Sequence, residues 1–235
     1  FVKNVSFLKK YDTVFIYDSF FNNLKNQNNM VNEFNNMKYF YDAYIDNEYI
    51  LIPEPLHASK NILIMEFIDG EKFELLDNSI LEKHKIISLL NMFIKDCYFF
   101  KDYYHSDLHE SNWKVIKYNN FYKLIIYDYG YISHNNLQQT FKDLTYYNYI
   151  LDVNSIVDIL YNHCSYVKFT NEEFKNEFNK YLNDLKVKFR EPFCDELTIT
   201  LYNFIYKNNI ILKSYMFEMF ISTILCKKNI IQFLT

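Results

Sequence analysis

Glycine occurs only twice in the 235 residues, and proline three times. Two glycines cannot build a Gly-rich phosphate loop, so the chain encodes neither a P-loop nor a Rossmann fingerprint. The four cysteines, Cys97, Cys164, Cys194 and Cys226, are far apart and form no CxxC pair. They read as reduced, mostly buried thiols of an intracellular protein and not as a structural zinc site. Arginine occurs once, as Arg190, and every other basic residue is Lys. With the heavy use of Asn, Ile, Tyr and Phe, this points to an AT-rich genome, such as that of a parasite, an organelle-bearing protist or a large virus. Runs of Asn therefore say little about structure. No apolar run approaches the roughly 18 residues needed to cross a bilayer. The most apolar stretches, Ile210–Leu212 and Phe220–Cys226, are interrupted by polar residues. Nothing in a net charge of −4 suggests a nucleic-acid-binding surface.

What is present is apolar and aromatic. Half the residues are hydrophobic and a fifth are aromatic, with 23 Tyr and 23 Phe, which excludes a disordered chain. The length allows one large domain or two small lobes with a sizeable core. The chain starts at Phe1 and not at Met, as expected of a fragment or a processed chain.

Residues 1–5 and 13–17 read as short apolar or alternating segments. From Met30 to Tyr44 the apolar spacing fits an amphipathic helix. Tyr49–Pro55 is apolar and then broken by proline, and Asn61–Phe67 reads as a buried strand. A turn with the first glycine follows at 68–71. Ser79–Phe100 predicts a long helix. Trp113–Lys117 and Tyr122–Tyr127 are β-rich runs separated by Asn119 and Asn120, the signature of a hairpin. From Leu137 onward the pattern reads helical throughout, at about 137–150, 153–164, 171–189, 195–208 and 213–229, with Tyr and Phe stripes that belong to a core.

The segment dense in chemistry is His105-Ser-Asp107-Leu-His109-Glu-Ser-Asn112, followed 16 residues later by Asp128-Tyr129-Gly130. A carboxylate, an amide five residues on and a second carboxylate after a hairpin form a phosphoryl-transfer set. Asp107 would sit beside the attacking hydroxyl, and Asn112 and Asp128 would supply oxygen ligands to Mg²⁺, a hard cation. Gly130 falls where the backbone turns after the metal-binding Asp.

These motifs resemble the protein-kinase-like superfamily, and within it the ABC1/UbiB/ADCK atypical kinases. That family carries an H-x-D-x-H-x-x-N loop and a D-F-G-like triplet, as His105–Asn112 and Asp128–Gly130 do here. Its strand ending in Met-Glu-aromatic-Ile-Asp-Gly is matched by Met65-Glu66-Phe67-Ile68-Asp69-Gly70, and its helix Glu and V/I-P segment by Glu33 and Ile52-Pro53. The resemblance covers roughly residues 1–165. The family's Ala-rich nucleotide loop and K-x-G-Q motif have no counterpart and would precede Phe1, and a second family Glu is replaced by Gln27.

The resemblance implies an α+β, protein-kinase-like two-lobed fold with an incomplete N-lobe over residues 1–67 and a helical C-lobe over 68–235. It implies ATP and Mg²⁺ as cofactors, with Mg-ATP between the lobes. Lys3 is then the phosphate-binding lysine, Glu33 its ion-pair partner, and Met65, Glu66 and Phe67 the adenine hinge, which binds through its backbone. His105 would brace the loop and pack near Tyr129, and His109 either lines the site or is a hydrogen-bonded loop histidine. Ser106 stands where an arginine could hold a phosphorylated segment, so activation by phosphorylation is not expected. The function implied is an ATP-dependent phosphotransferase or ATPase acting on an unidentified small-molecule, lipid or protein acceptor. The alternatives are a small-molecule kinase of the aminoglycoside/choline-kinase type, whose H-G-D-L-H-x-x-N loop is also close, and an inactive pseudokinase scaffold. No nucleic acid partner or transmembrane segment is expected, and the location is expected to be cytoplasmic.

Overall fold

The computed structural model of the 235-residue chain describes residues 29–76, 80–119, 121–150, 152–185, 195–213 and 215–216. Lys3, Gln27, Arg190, Cys194, Cys226, the segments expected at 1–5 and 13–17, and the last helix beyond 216 lie outside the described residues. The described residues fall into two compact units, one up to Asn136 and one from Leu137.

The first unit opens with helix α1, Met30–Tyr44. Asn29 caps it by accepting the Val31 N–H at 3.2 Å. Its apolar residues recur at helical spacing, and Met37, Phe40 and Tyr44 are buried. Strand β1, Ile50–Leu51, is short. Strands β2, Pro55–Ser59, and β3, Ile62–Met65, pair as an antiparallel hairpin with a register shift between Pro55 and His57. The sequence predicts a proline break here; instead Pro55 opens a strand, a position where its missing N–H disturbs no ladder bond.

Helix α2, Ile80–Phe100, buries Ile86, Ile87, Leu90, Phe93 and Cys97. Its last carbonyls are gathered by one side chain. The Asn135 amide donates to the Cys97, Tyr98 and Lys101 carbonyls at 3.0, 2.9 and 3.0 Å. An orphaned helix terminus is thus satisfied by a residue 34 or more positions away.

Strand β4, Tyr103–His105, leads into the polar loop, which ends in a 3₁₀ turn at Glu110–Asn112. Strands β5, Trp113–Tyr118, and β6, Phe121–Ile126, form the hairpin that the sequence predicts, in continuous register from Trp113↔Ile126 to Tyr118↔Phe121. Asn119 takes φ 52°, a left-handed conformation that Asn tolerates. β1 adds to β6 in parallel, giving a three-stranded sheet in the order β1-β6-β5. Strand β7, Ile132–His134, pairs antiparallel with β4. The β4–β7 ribbon and the β5–β6 hairpin therefore hold the polar loop and the Asp128 triplet at both ends.

The second unit contains helices α3, Gln138–Tyr149, and α4, Val153–Asn162, strand β8, Cys164–Tyr166, helices α5, Asn171–Leu185, and α6, Asp195–Lys207, and strand β9, Ile211–Leu212. The reading of this region as helical throughout needs correction, because β8 and β9 pair antiparallel. Both strands are too short to register a period against the flanking helices. Phe174, Phe178 and Phe204 join Ile156, Val157, Leu160 and Leu201 in the buried core here. Phe204 packs against Phe174, Phe178 and Tyr181, with ring centroids 5.4, 5.0 and 5.5 Å apart. Each fully buried Phe contributes about 1.5–3 kcal/mol.

Candidate functional site

All described site residues lie in the first unit. His105 ends β4 and is buried. One ring nitrogen, Nδ1, accepts the Asp107 N–H at 3.3 Å, and the other, Nε2, bonds the Asp128 carbonyl. An acceptor at Nδ1 and a carbonyl at Nε2 define the neutral Nε2–H tautomer. Burial, the largest influence, holds its pKa below the usual 6.5. Its ring also packs on Tyr129 at 5.6 Å. Ser106 knits the loop to β7, with its N–H donated to the Tyr131 carbonyl at 3.1 Å and its hydroxyl to Ser133 Oγ at 2.6 Å.

The Asp107 carboxylate is half-exposed, and His109 Nε2 lies 3.8 Å from its Oδ2. His109 Nδ1 accepts the Ser111 N–H at 3.2 Å and so caps the 3₁₀ turn. Asn112 is buried and donates its side-chain amide to the Asp107 carbonyl at 2.8 Å. Across the hairpin base, the Tyr127 N–H donates to the Asn112 carbonyl at 3.0 Å. That bond brings the exposed Asp128 back beside the loop. Asp128 Oδ1 accepts the Gly130 N–H at 2.9 Å. The side chain thus makes this turn, since neither glycine has a positive φ.

Glu33, in the first turn of α1, reaches the same cluster. Its carboxyl pKa is raised, first by burial and second by the Asp128 charge, and the Tyr129 N–H offsets part of the shift. Asn36, one turn on, donates its amide to the Tyr129 carbonyl at 2.9 Å. The sequence reading missed Asn36; the signal available was its i+3 spacing from Glu33 on a helix face.

Met65 ends β3, and Phe67 is 83% exposed. The Glu66 N–H is already donated to the Glu54 carbonyl at 2.8 Å, and its carboxylate accepts the Glu54 N–H at 3.2 Å. The expected hinge thus has its Glu66 N–H already engaged just beyond the β2–β3 pairing. The chain leaving this segment is laid onto the hairpin. The Tyr127 hydroxyl donates to the Ile68 carbonyl at 2.9 Å, and Glu71 bridges Val115. Gly70 lets the chain approach closely there, because a Cβ would stand 2.6 Å from Ile125 Cδ1 and 3.2 Å from Lys114 Cβ.

Among the described residues no group of three or more His, Cys, Asp or Glu could hold a metal ion. The donors expected from the sequence are instead the Asn112 amide oxygen and the Asp128 carboxylate. Two hard oxygens suit Mg²⁺, which keeps several waters and takes phosphate oxygens to complete its octahedron.

A polar loop and an acidic triplet held between a two-stranded ribbon and a hairpin, below a helix carrying Glu33, define an α+β fold of the protein-kinase-like type. The chain belongs to the ABC1 atypical kinase-like domain family, whose profile matches residues 1–160. Rv3197 from Mycobacterium tuberculosis, solved with erythromycin, is similar in fold, with a TM-score of 0.55 at 12% identity over 84% of this chain and 59% of that one. Rio2 kinase from Chaetomium thermophilum, solved as an ADP/Mg²⁺-phosphoaspartate complex, aligns with a TM-score of 0.37 at 14% identity over 78% of this chain and 54% of that one. The chain thus spans little more than half the length of either. Among curated proteins no sequence matches it. No helix of the described residues is long and apolar enough to cross a membrane.

Proposed function

We propose that the chain is an ATP-dependent phosphotransferase or ATPase of the ABC1-like atypical kinase type, using Mg-ATP. The observation that carries this reading is the join at the hairpin base. The Asn112 amide bonds the Asp107 carbonyl while the Asn112 carbonyl accepts from Tyr127, the residue before Asp128, which supports a shared role for Asp107, Asn112 and Asp128. In this reading Asn112 and Asp128 hold Mg²⁺, which neutralises phosphate charge when bound. Asp107, exposed and off the metal, orients the acceptor hydroxyl or water. His109 keeps a proton donor beside the Asp107 carboxylate, and His105 fixes the loop as a neutral brace. The Glu66–Phe67 backbone receives the base, and Lys3 remains the candidate partner of Glu33. The division into an N-lobe over 1–67 and a C-lobe over 68–235 belongs to the same proposal. Catalysis would then rest on positioning and charge neutralisation, with little covalent chemistry from the protein. Calorimetry with Mg-ADP on wild type and Asp128→Ala tests this. Binding by wild type and its loss by at least about tenfold in the variant is expected. Equal affinities would end the reading.

A further inference from the structure

We infer that Asn36 is a positioning residue for the Asp128 carboxylate, acting through the peptide plane that joins Tyr129 to Gly130. This role presupposes the phosphotransferase reading, in which Asp128 is a metal ligand. The plane is held at both ends. Its carbonyl, from Tyr129, accepts the Asn36 amide at 2.9 Å. Its N–H, from Gly130, is donated to Asp128 Oδ1 at 2.9 Å. The N–H that fixes the carboxylate therefore points where it does because Asn36 holds the opposite end of the same rigid unit. With Oδ1 taking that bond, Oδ2 is the oxygen of this exposed side chain left without it.

The preceding plane, between Asp128 and Tyr129, is held independently. His105 takes its carbonyl, and its N–H meets the Glu33 carboxylate electrostatically. Tyr129 is fully buried, and its ring lies 5.1 Å from that of Phe40, one further turn along α1. Residues 33, 36 and 40 thus present one helix face to one residue of the triplet. Of these contacts, only the Asn36 bond acts on the plane that carries the carboxylate's donor. Glycine permits the backbone rotation that would flip this plane and turn the Tyr129 carbonyl toward Asp128. A carbonyl beside a carboxylate repels it, so Asn36 suppresses a flip that would move the metal ligand out of place.

The test uses Mn²⁺, followed by electron paramagnetic resonance, with and without ADP, on the full chain. Asn36→Leu removes the donor and keeps the approximate shape. The Mn²⁺ dissociation constant should rise by about tenfold, as for loss of one positioning hydrogen bond. ADP affinity without metal should stay unchanged. Asn36→Asp, which sets an acceptor against the Tyr129 carbonyl, should weaken Mn²⁺ binding further. Adding Gly130→Ala to Asn36→Leu should recover part of the loss, because Gly130 has no positive φ and alanine narrows the flip. A merely structural role would lower thermal stability in the single variants and give no recovery in the double one. Wild-type Mn²⁺ affinity in both Asn36 variants would overturn the inference alone. Absence of Mn²⁺ binding in wild type, with or without ADP, would overturn the phosphotransferase reading and this role with it.

Discussion

Asn112 holds Asp107 by its backbone: the amide bonds the Asp107 carbonyl at 2.8 Å and leaves the Asp107 carboxylate out of the framework. The bond that ties the two ends of the loop is therefore not made by the charge it displays. With Nδ2 engaged inward, Oδ1 is the atom Asn112 can offer a cation.

Asp107→Asn should accordingly keep the fold and lose the chemistry. Turnover, read as ADP or phosphate release, should fall by at least about 10²-fold, the usual worth of a positioned acid–base group. Mg-ATP affinity by calorimetry and the melting temperature should move little. Unchanged turnover in an active preparation would make Asp107 an ordinary loop residue.

His105 gives the fold an acid limit. Its pKa is lowered from 6.5 by burial, so the unfolded chain binds the proton more readily than the folded one. Stability should be level above about pH 6.5 and fall as the pH drops through that value toward the folded pKa. His105→Leu keeps the bulk but strands the Asp128 carbonyl and the Asp107 N–H. It should cost about 2 kcal/mol at pH 7 and flatten the acid slope. Urea unfolding from pH 7.5 to 5 measures both, and a slope identical to wild type would rule out this assignment.

Glu33 has the opposite sign. Burial and the Asp128 charge raise its pKa from 4.5, so between that value and the raised one the folded state binds more protons. Its contribution to stability is largest below about pH 4.5 and is lost as the pH rises. Glu33→Gln retains an acceptor near the Tyr129 N–H without the charge. In metal-free protein it should raise the melting temperature at pH 7, with the difference vanishing near pH 4.5. A lower melting temperature at pH 7 would contradict the role given to carboxylate repulsion.

Gly70→Ala forces a Cβ to 2.6 Å from Ile125 Cδ1 and 3.3 Å from the Val115 carbonyl. The hairpin or the segment after Phe67 must yield, at about 1–3 kcal/mol. Chemical denaturation should show a lower midpoint with an unchanged slope; an unaltered midpoint would mean that the contact relaxes freely.

The elements that the sequence revealed are those whose periodicity runs long enough to register. α1 and α2 carry apolar residues through several helical turns, and β5 and β6 are six-residue β-rich runs around a turn that tolerates left-handed backbone. The polar loop was legible because its residue types and spacing are chemical. What was not legible is short or non-local. β4 and β7, three residues each, lie among polar residues, and the Asp128 turn is made by its own carboxylate. Pro55 reads as a breaker because proline statistics describe strand interiors and not strand starts. Asn36 and Asn135 looked like composition in an Asn-rich chain. Only their partners, 93 and 34 to 38 positions away, give them meaning.

The pairing of β8 with β9 bears on how the helical unit assembles. The Ser165 hydroxyl reaches the Ile211 and Leu212 carbonyls, 46 and 47 residues on in sequence. Helices acquire their contacts over three or four residues, but this ribbon must wait until the intervening chain has been drawn in, and closing that loop opposes its formation. The ribbon is therefore expected to close after the local helical contacts have formed. Among the described residues of that unit, its amides should exchange with solvent before those around Phe204 in the buried core.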